Sequence, residues 1–208
     1  MTMEPNLLSI SLTPSLGEYF REPVTQAIRG REVQASSATE SYIVQLLSDF
    51  AKPTPETTSA LTESVTLLLR DAMAESGPER FRRLQRLGDG VLYGMGFFNQ
   101  KTQGVDRKYL ARVGATAYDH AARMLRTGQG KSAGPDILNE LATKFEGFVE
   151  VLRYVSDWVE AKSARDEEGL VRLYERWLKT KSPLLKDELG QRGMFGLGDD
   201  SGFGGGIH

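Results

Sequence analysis

The feature that most limits the fold is a run of apolar residues between positions 138 and 159. Leu138, Leu141, Phe145, Phe148, Leu152, Val155 and Val159 follow one another at spacings of 3, 4, 3, 4, 3 and 4. Only an α-helix brings residues so spaced onto one side, and the resulting seam spans three heptads. Ile137, Val151 and Trp158 widen it on one flank, which predicts packing against two neighbours in a bundle rather than a two-stranded coil.

The same period recurs through the chain, and no segment reads as a strand. Thr13-Pro14-Ser15 with Glu18 predicts a capped helix that Pro23 kinks or divides and Gly30 ends. A second helix is expected from near Ser37, with Glu40 three residues on, burying Ile43, Leu46, Leu47 and Phe50 before Pro53. A third runs from about Glu56 or Ser59 to Glu75. The fourth, Pro78 to about Asn99, places Phe81, Leu84, Gly88, Val91, Met95 and Phe98 on one face. It holds Gly88, Gly90, Gly94 and Gly96, each costing about 1 kcal/mol relative to alanine in a helix interior. Two explanations stand: close approach of the fifth helix, or a break at Gly94 and Gly96 that forms a pocket wall or hinge. The fifth helix, from Asp106 to Gly128, offers a small-residue surface of Ala111, Gly114, Ala115, Ala117, Ala121 and Ala122. Asp166 caps the seventh, and Ser182-Pro183 opens a short last one.

The expectation is therefore an all-α fold, a single compact bundle of seven or eight helices over residues 13–192. Residues 1–12 read as a flexible N-terminal segment, and residues 193–208 as a disordered Gly-rich tail. A chain of 208 residues is long enough to bury a full core. It has no cysteine, which removes disulfides, thiol nucleophiles, zinc–thiolate sites and iron–sulfur clusters. No stretch approaches the roughly 20 apolar residues that span a bilayer, and the start lacks a leader pattern, so no membrane insertion and a cytoplasmic location are expected.

Catalytic motifs fail on context. Gly128-Gln129-Gly130-Lys131-Ser132 ends like a phosphate-binding loop, but Leu125 occupies the place of the first glycine and a helix precedes it. The glycines from Gly88 lie in a helical apolar pattern and not after a strand, against a dinucleotide site. His120 and His208 are the only histidines, so clustered metal ligands and a histidine-based triad lack material, and no cofactor is expected. The sequence leans away from an enzyme.

Charge is unevenly placed. Net charge is −2, yet residues 80–131 carry 11 basic groups against Asp89, Asp106 and Asp119, a local balance of +8. Arg80, Arg82, Arg83, Arg86, Arg107, Lys108 and Arg112 form a candidate basic face on the fourth and fifth helices for an acidic partner, the alternative being neutralisation by neighbouring acidic helices. Arg82, Arg86, Asp89 and Tyr93 share one side of the fourth helix, where an Arg86–Asp89 pair is expected. A second candidate is a pocket between helices lined by Asp89, Tyr93, Phe97, Tyr118, Tyr154 and Trp158, residues equally suited to a core. A third is docking through the tail by Phe195, Leu197, Phe203 and Ile207.

Tyr42-Ile43-Val44 with Leu46-Leu47, Leu87-Gly88-Asp89 with Tyr93 and Gly96-Phe97-Phe98, and Leu173-Tyr174-Glu175-Arg176-Trp177-Leu178 resemble an uncharacterised bacterial all-helical family across most of residues 16–182. The resemblance implies a bacterial, cytoplasmic origin and carries no activity or functional residue with it. The reading that follows is a non-enzymatic interaction, regulatory or adaptor protein with an unidentified protein partner. A small-molecule-binding helical protein or enzyme is the alternative, and nucleic-acid binding a weaker one, since the chain as a whole is acidic. Homo-oligomer formation is compatible with all three.

Overall fold

The computed structural model describes residues 15–52, 54, 64–98, 106–129 and 136–194. Among the described residues there are nine helices and no strand: α1 (Leu16–Gly30), α2 (Ser37–Phe50), α3 (Val65–Ala74), α4 (Gly77–Gly96), α5 (Arg107–Gln129), α6 (Ile137–Thr143), α7 (Phe145–Ser163), α8 (Glu167–Thr180) and α9 (Pro183–Gln191). The all-α expectation holds, and the count is nine rather than seven or eight. The extra helix arises because the seam from Leu138 to Val159 is interrupted at Lys144, whose backbone leaves helical geometry at φ −116° and ψ 27°. Six of the seven seam residues are nonetheless buried and Val159 is partly so, since one irregular residue turns the axis without losing the stripe.

Local signals explain most helix ends. Ser15 and Glu18 form the expected reciprocal cap, the Glu18 amide donating to Ser15 Oγ at 3.2 Å and the Ser15 amide to Glu18 Oε2 at 2.7 Å. Asp166 Oδ1 accepts from the Gly169 amide at 2.8 Å at the head of α8. Pro23 does not divide α1. The helix runs through it to Gly30, and the proline ring is buried with Phe20, Val24 and Ala27, packing gain that offsets the lost backbone bond.

α4 lies at the centre, packed by α2, α3, α5 and α7. Its second half is buried all round, with Gly90, Val91, Leu92, Tyr93, Gly94, Met95 and Gly96 withdrawn from solvent. That accounts for Gly88 and Gly96. A Cβ on Gly88 would sit 2.7 Å from the Tyr118 ring of α5, and one on Gly96 would meet Leu152 and the Val149 carbonyl of α7 at 2.5 and 2.9 Å. Close approach of α5 is thus borne out at Gly88, while at Gly96 the close neighbour is α7; α4 stays helical through Gly94 and ends at Gly96. Phe98 departs from the expected buried face, being 52% exposed beyond that end.

α1 packs on α2 and α7, and α6 bridges α5 and α2. A smaller apolar cluster of Ala161, Ala164, Leu173, Leu185 and Leu189 joins α8 and α9 to the C-terminal end of α7. No described helix is long and apolar enough to cross a membrane.

Candidate functional site

Asp89 is a partly buried carboxylate at which three helices meet. It follows Gly88 on α4, where the missing side chain lets the Tyr118 ring lie against the helix, and both tyrosine hydroxyls nearby turn toward its carboxylate. Tyr42 of α2 and Tyr118 of α5 each donate to Asp89 Oδ1 at 2.7 Å, and Gln85 Nε2 donates to the Tyr42 hydroxyl at 2.9 Å. Three helices are tied at one oxygen. Burial pushes the Asp89 carboxyl up to about 6, reinforced by Asp49 and opposed by the two hydroxyl donors and Arg86. Both tyrosine hydroxyls are raised above their ordinary range, mainly by burial and then by the adjacent carboxylate. The expected Arg86–Asp89 pair is replaced by these hydrogen bonds; Arg86 acts on Asp89 through its charge only.

The rest of the aromatic pocket set does not converge with Asp89 and Tyr118. Tyr93 is buried and stacked between Phe50 and Phe97, with ring centroids 4.4 and 5.0 Å apart. Tyr154 and Trp158 lie on the far side at the α1–α7 contact. There the Tyr154 hydroxyl faces Gln26 at 3.4 Å and Trp158 meets Tyr19 edge-on at 5.2 Å. Three separate packing clusters thus hold the six residues.

The basic face divides into neutralised and unpaired parts. Arg82 and Arg83 both bind Glu79 on their own helix, at 2.8 and 3.0 Å, and Arg83 also reaches Glu75 at 3.1 Å. Arg80 donates to the Met73 sulfur at 3.2 Å, and Arg107 faces Glu150 of α7 at 3.8 Å. Farther along α5, Arg123 binds Asp119 and Arg126 binds Asp136, both at 2.7 Å. Among the described residues Arg86, Lys108 and Arg112 have neither a salt bridge nor a side-chain hydrogen-bond donor role. Lys108 and Arg112 open onto a cleft of about 500 Å³ between α5 and the α6–α7 bend. Ala111 and Ala115 of α5, and Ala142, Thr143, Lys144, Phe145, Glu146 and Gly147 opposite, complete its lining. The neutral small residues on both walls keep the helices close while leaving a trough between them.

Two further polar clusters have no signal in the local sequence. Glu140 of α6 accepts from the Ser36 amide at 3.1 Å, Ser36 Oγ at 2.8 Å, Thr39 Oγ1 at 2.5 Å and Lys144 Nζ at 3.0 Å, so it caps α2 from 104 residues away. Partial burial works against its charge, but the Thr39, Lys144 and Ser36 hydrogen bonds prevail and hold its carboxyl down to about 2. Glu40, expected to close that cap, instead accepts from Thr25 of α1. In the second cluster Arg176 of α8 binds the buried Asp157 of α7 at 2.7 Å and Ser156 Oγ at 2.8 Å, while Ser156 donates to the Phe97 carbonyl.

No family model, curated protein or solved structure matches this chain. Its own residues are what carry a functional reading. Among the described residues no group of three or more His, Cys, Asp or Glu side chains is placed to hold a metal ion. The Gly128–Ser132 loop side chains and the tail anchors Phe195, Leu197, Phe203 and Ile207 lie outside the described residues.

Proposed function

We propose that this chain is a non-enzymatic interaction protein that receives an acidic partner on the α5 face around Lys108 and Arg112. The observation that carries the reading is the distribution of unpaired cations. Most arginines of the basic middle segment are already matched by carboxylates within the fold, so they offer an incoming anion little net attraction. Lys108 and Arg112 are exposed, one helical turn apart and, among the described residues, without an ion pair. Like charges at that spacing repel each other mildly, and an acidic partner relieves the repulsion. Arg82 and Arg83, equal members of the basic face by sequence, are partly offset by Glu79 and Glu75 and stand second in this reading.

Bacterial origin and a cytoplasmic setting belong to the same proposal and rest on the family resemblance. The test is a comparison of charge variants in capture from native lysate, with the captured protein identified and its binding repeated with purified components. Lys108→Glu with Arg112→Glu abolishes capture, whereas Arg82→Gln with Arg83→Gln leaves it intact. Equal capture by both variants refutes the assignment of the face. A cleft of about 500 Å³ beside the same two cations supports a second reading, small-molecule binding.

A further inference from the structure

The cleft between α5 and the α6–α7 bend has a charge balance that narrows what it can take. Four charged side chains line it: Lys108, Arg112, Lys144 and Glu146. Lys144 is already committed, its ammonium binding Glu140 at 3.0 Å and the Gln34 carbonyl. Glu146 is the one carboxylate of the lining, and Arg107, which pairs with Glu150, attracts it only weakly. Among the described residues Lys108 and Arg112, one turn apart on the same helix, make no ion pair, and even with Glu146 counted against them the lining keeps a net positive charge. Two cations at that separation can both engage one doubly charged anion, whereas a single carboxylate neutralises only one of them.

The kind of cation points the same way. A guanidinium presents a planar fork that grips two phosphate oxygens at once, and a lysine adds a mobile point charge to a third. A phosphomonoester is close to dianionic at neutral pH. The size of the cleft exceeds what a phosphate alone would fill and lies within the range of small-molecule sites. The methyl groups of Ala111, Ala115 and Ala142 supply the apolar part of a lining that also carries Thr143 and Glu146.

We infer that this cleft is a binding site for a phosphomonoester carried on a small, largely apolar body, with Arg112 and Lys108 holding the phosphate and the alanine floor holding the body. The inference rests on the reading that Lys108 and Arg112 are the working cations of the α5 face, and it specifies the anion.

The test titrates the full-length chain with phenyl phosphate, inorganic phosphate and benzoate, followed by calorimetry and by amide shifts in NMR. Phenyl phosphate is expected to saturate, to move amides of residues 108–115 and 142–147, and to bind more tightly than either other probe. Arg112→Gln and Lys108→Gln each lower its affinity about tenfold, the loss of one charge-assisted contact. Arg82→Gln with Arg83→Gln changes it less than about twofold, because those arginines are held by Glu79. Absence of saturation, benzoate binding as tight as phenyl phosphate, or undiminished binding by Arg112→Gln overturns the inference. Should an acidic protein be captured through Lys108 and Arg112 while phenyl phosphate fails to bind, this inference falls and the interaction reading stands. Phenyl phosphate binding without any acidic protein partner has the opposite consequence: the phosphomonoester site stands and the protein-partner reading falls.

Discussion

Replacing Asp89 by asparagine removes a charge held among Tyr42, Tyr118 and the packed faces of α2, α4 and α5, and its effect is expected to depend on pH in an unusual direction. Most carboxylates of a folded protein titrate lower than in the unfolded chain and lose stabilisation in acid. Asp89 titrates higher, at about 6 against an ordinary 3.8, so the folded chain binds the proton more tightly than the unfolded one. Stability therefore rises as pH falls through 6, and the gain is complete near 3.8. The whole difference is about 3 kcal/mol, of which about 1 kcal/mol falls between pH 7 and pH 5. For a chain of this size that is a rise in Tm of about 3 °C. Glu18, Glu79 and Glu140 are held below their ordinary 4.5, and their stabilisation is present above that value and lost only beneath it. They leave the window above pH 5 to Asp89. In Asp89→Asn the amide oxygen still accepts from both hydroxyls, so the variant should be more stable than the parent at pH 7 and flat between pH 7 and 5. Urea unfolding at several pH values, followed by circular dichroism, measures both slopes. A parent whose stability is unchanged or falls on acidification from pH 7 to 5, or a variant that keeps the parent's slope, refutes the reasoning.

Gly88→Ala should destabilise the fold by about 1–2 kcal/mol despite its better helix propensity, because the added methyl meets the Tyr118 ring at 2.7 Å. Gly30→Ala, with nothing within 4 Å of the new methyl, should instead stabilise by up to about 1 kcal/mol; thermal melts that rank the two the other way contradict the packing account. Arg176→Met leaves Asp157, 2% exposed, without its cation and should cost about 3 kcal/mol, part of it recovered by adding Asp157→Asn. Denaturation midpoints of the single variant equal to the parent's would show that this pair carries no such weight.

The helices were legible because their information is local. Ser15 with Glu18 and Asp166 before Gly169 mark starts through side-chain contacts made within one turn, Ser182-Pro183 marks one through the proline at the first helical position, and the 3–4 apolar spacing from Leu138 to Val159 names a buried face without reference to any neighbour. The cost of four glycines in one helix was also legible, and close approach was one of the two explanations it allowed. The candidate site was less so. Lys108 and Arg112 stood in the basic set, but so did Arg82 and Arg83, and nothing along the chain distinguishes an arginine with a partner from one without.

What the amino-acid order determined by itself is everything settled within three or four residues: all-helical structure, most caps and the inward faces. The tertiary structure decided what depends on residues far apart. It put Tyr42 and Tyr118 on one oxygen of Asp89, brought Glu140 to the head of α2 in place of Glu40, and bent the long seam at Lys144 to open a cleft beside Lys108 and Arg112. A periodic pattern says which side of a helix turns inward; the polar groups that meet there are chosen by how whole helices cross, and that choice is made only when the core closes.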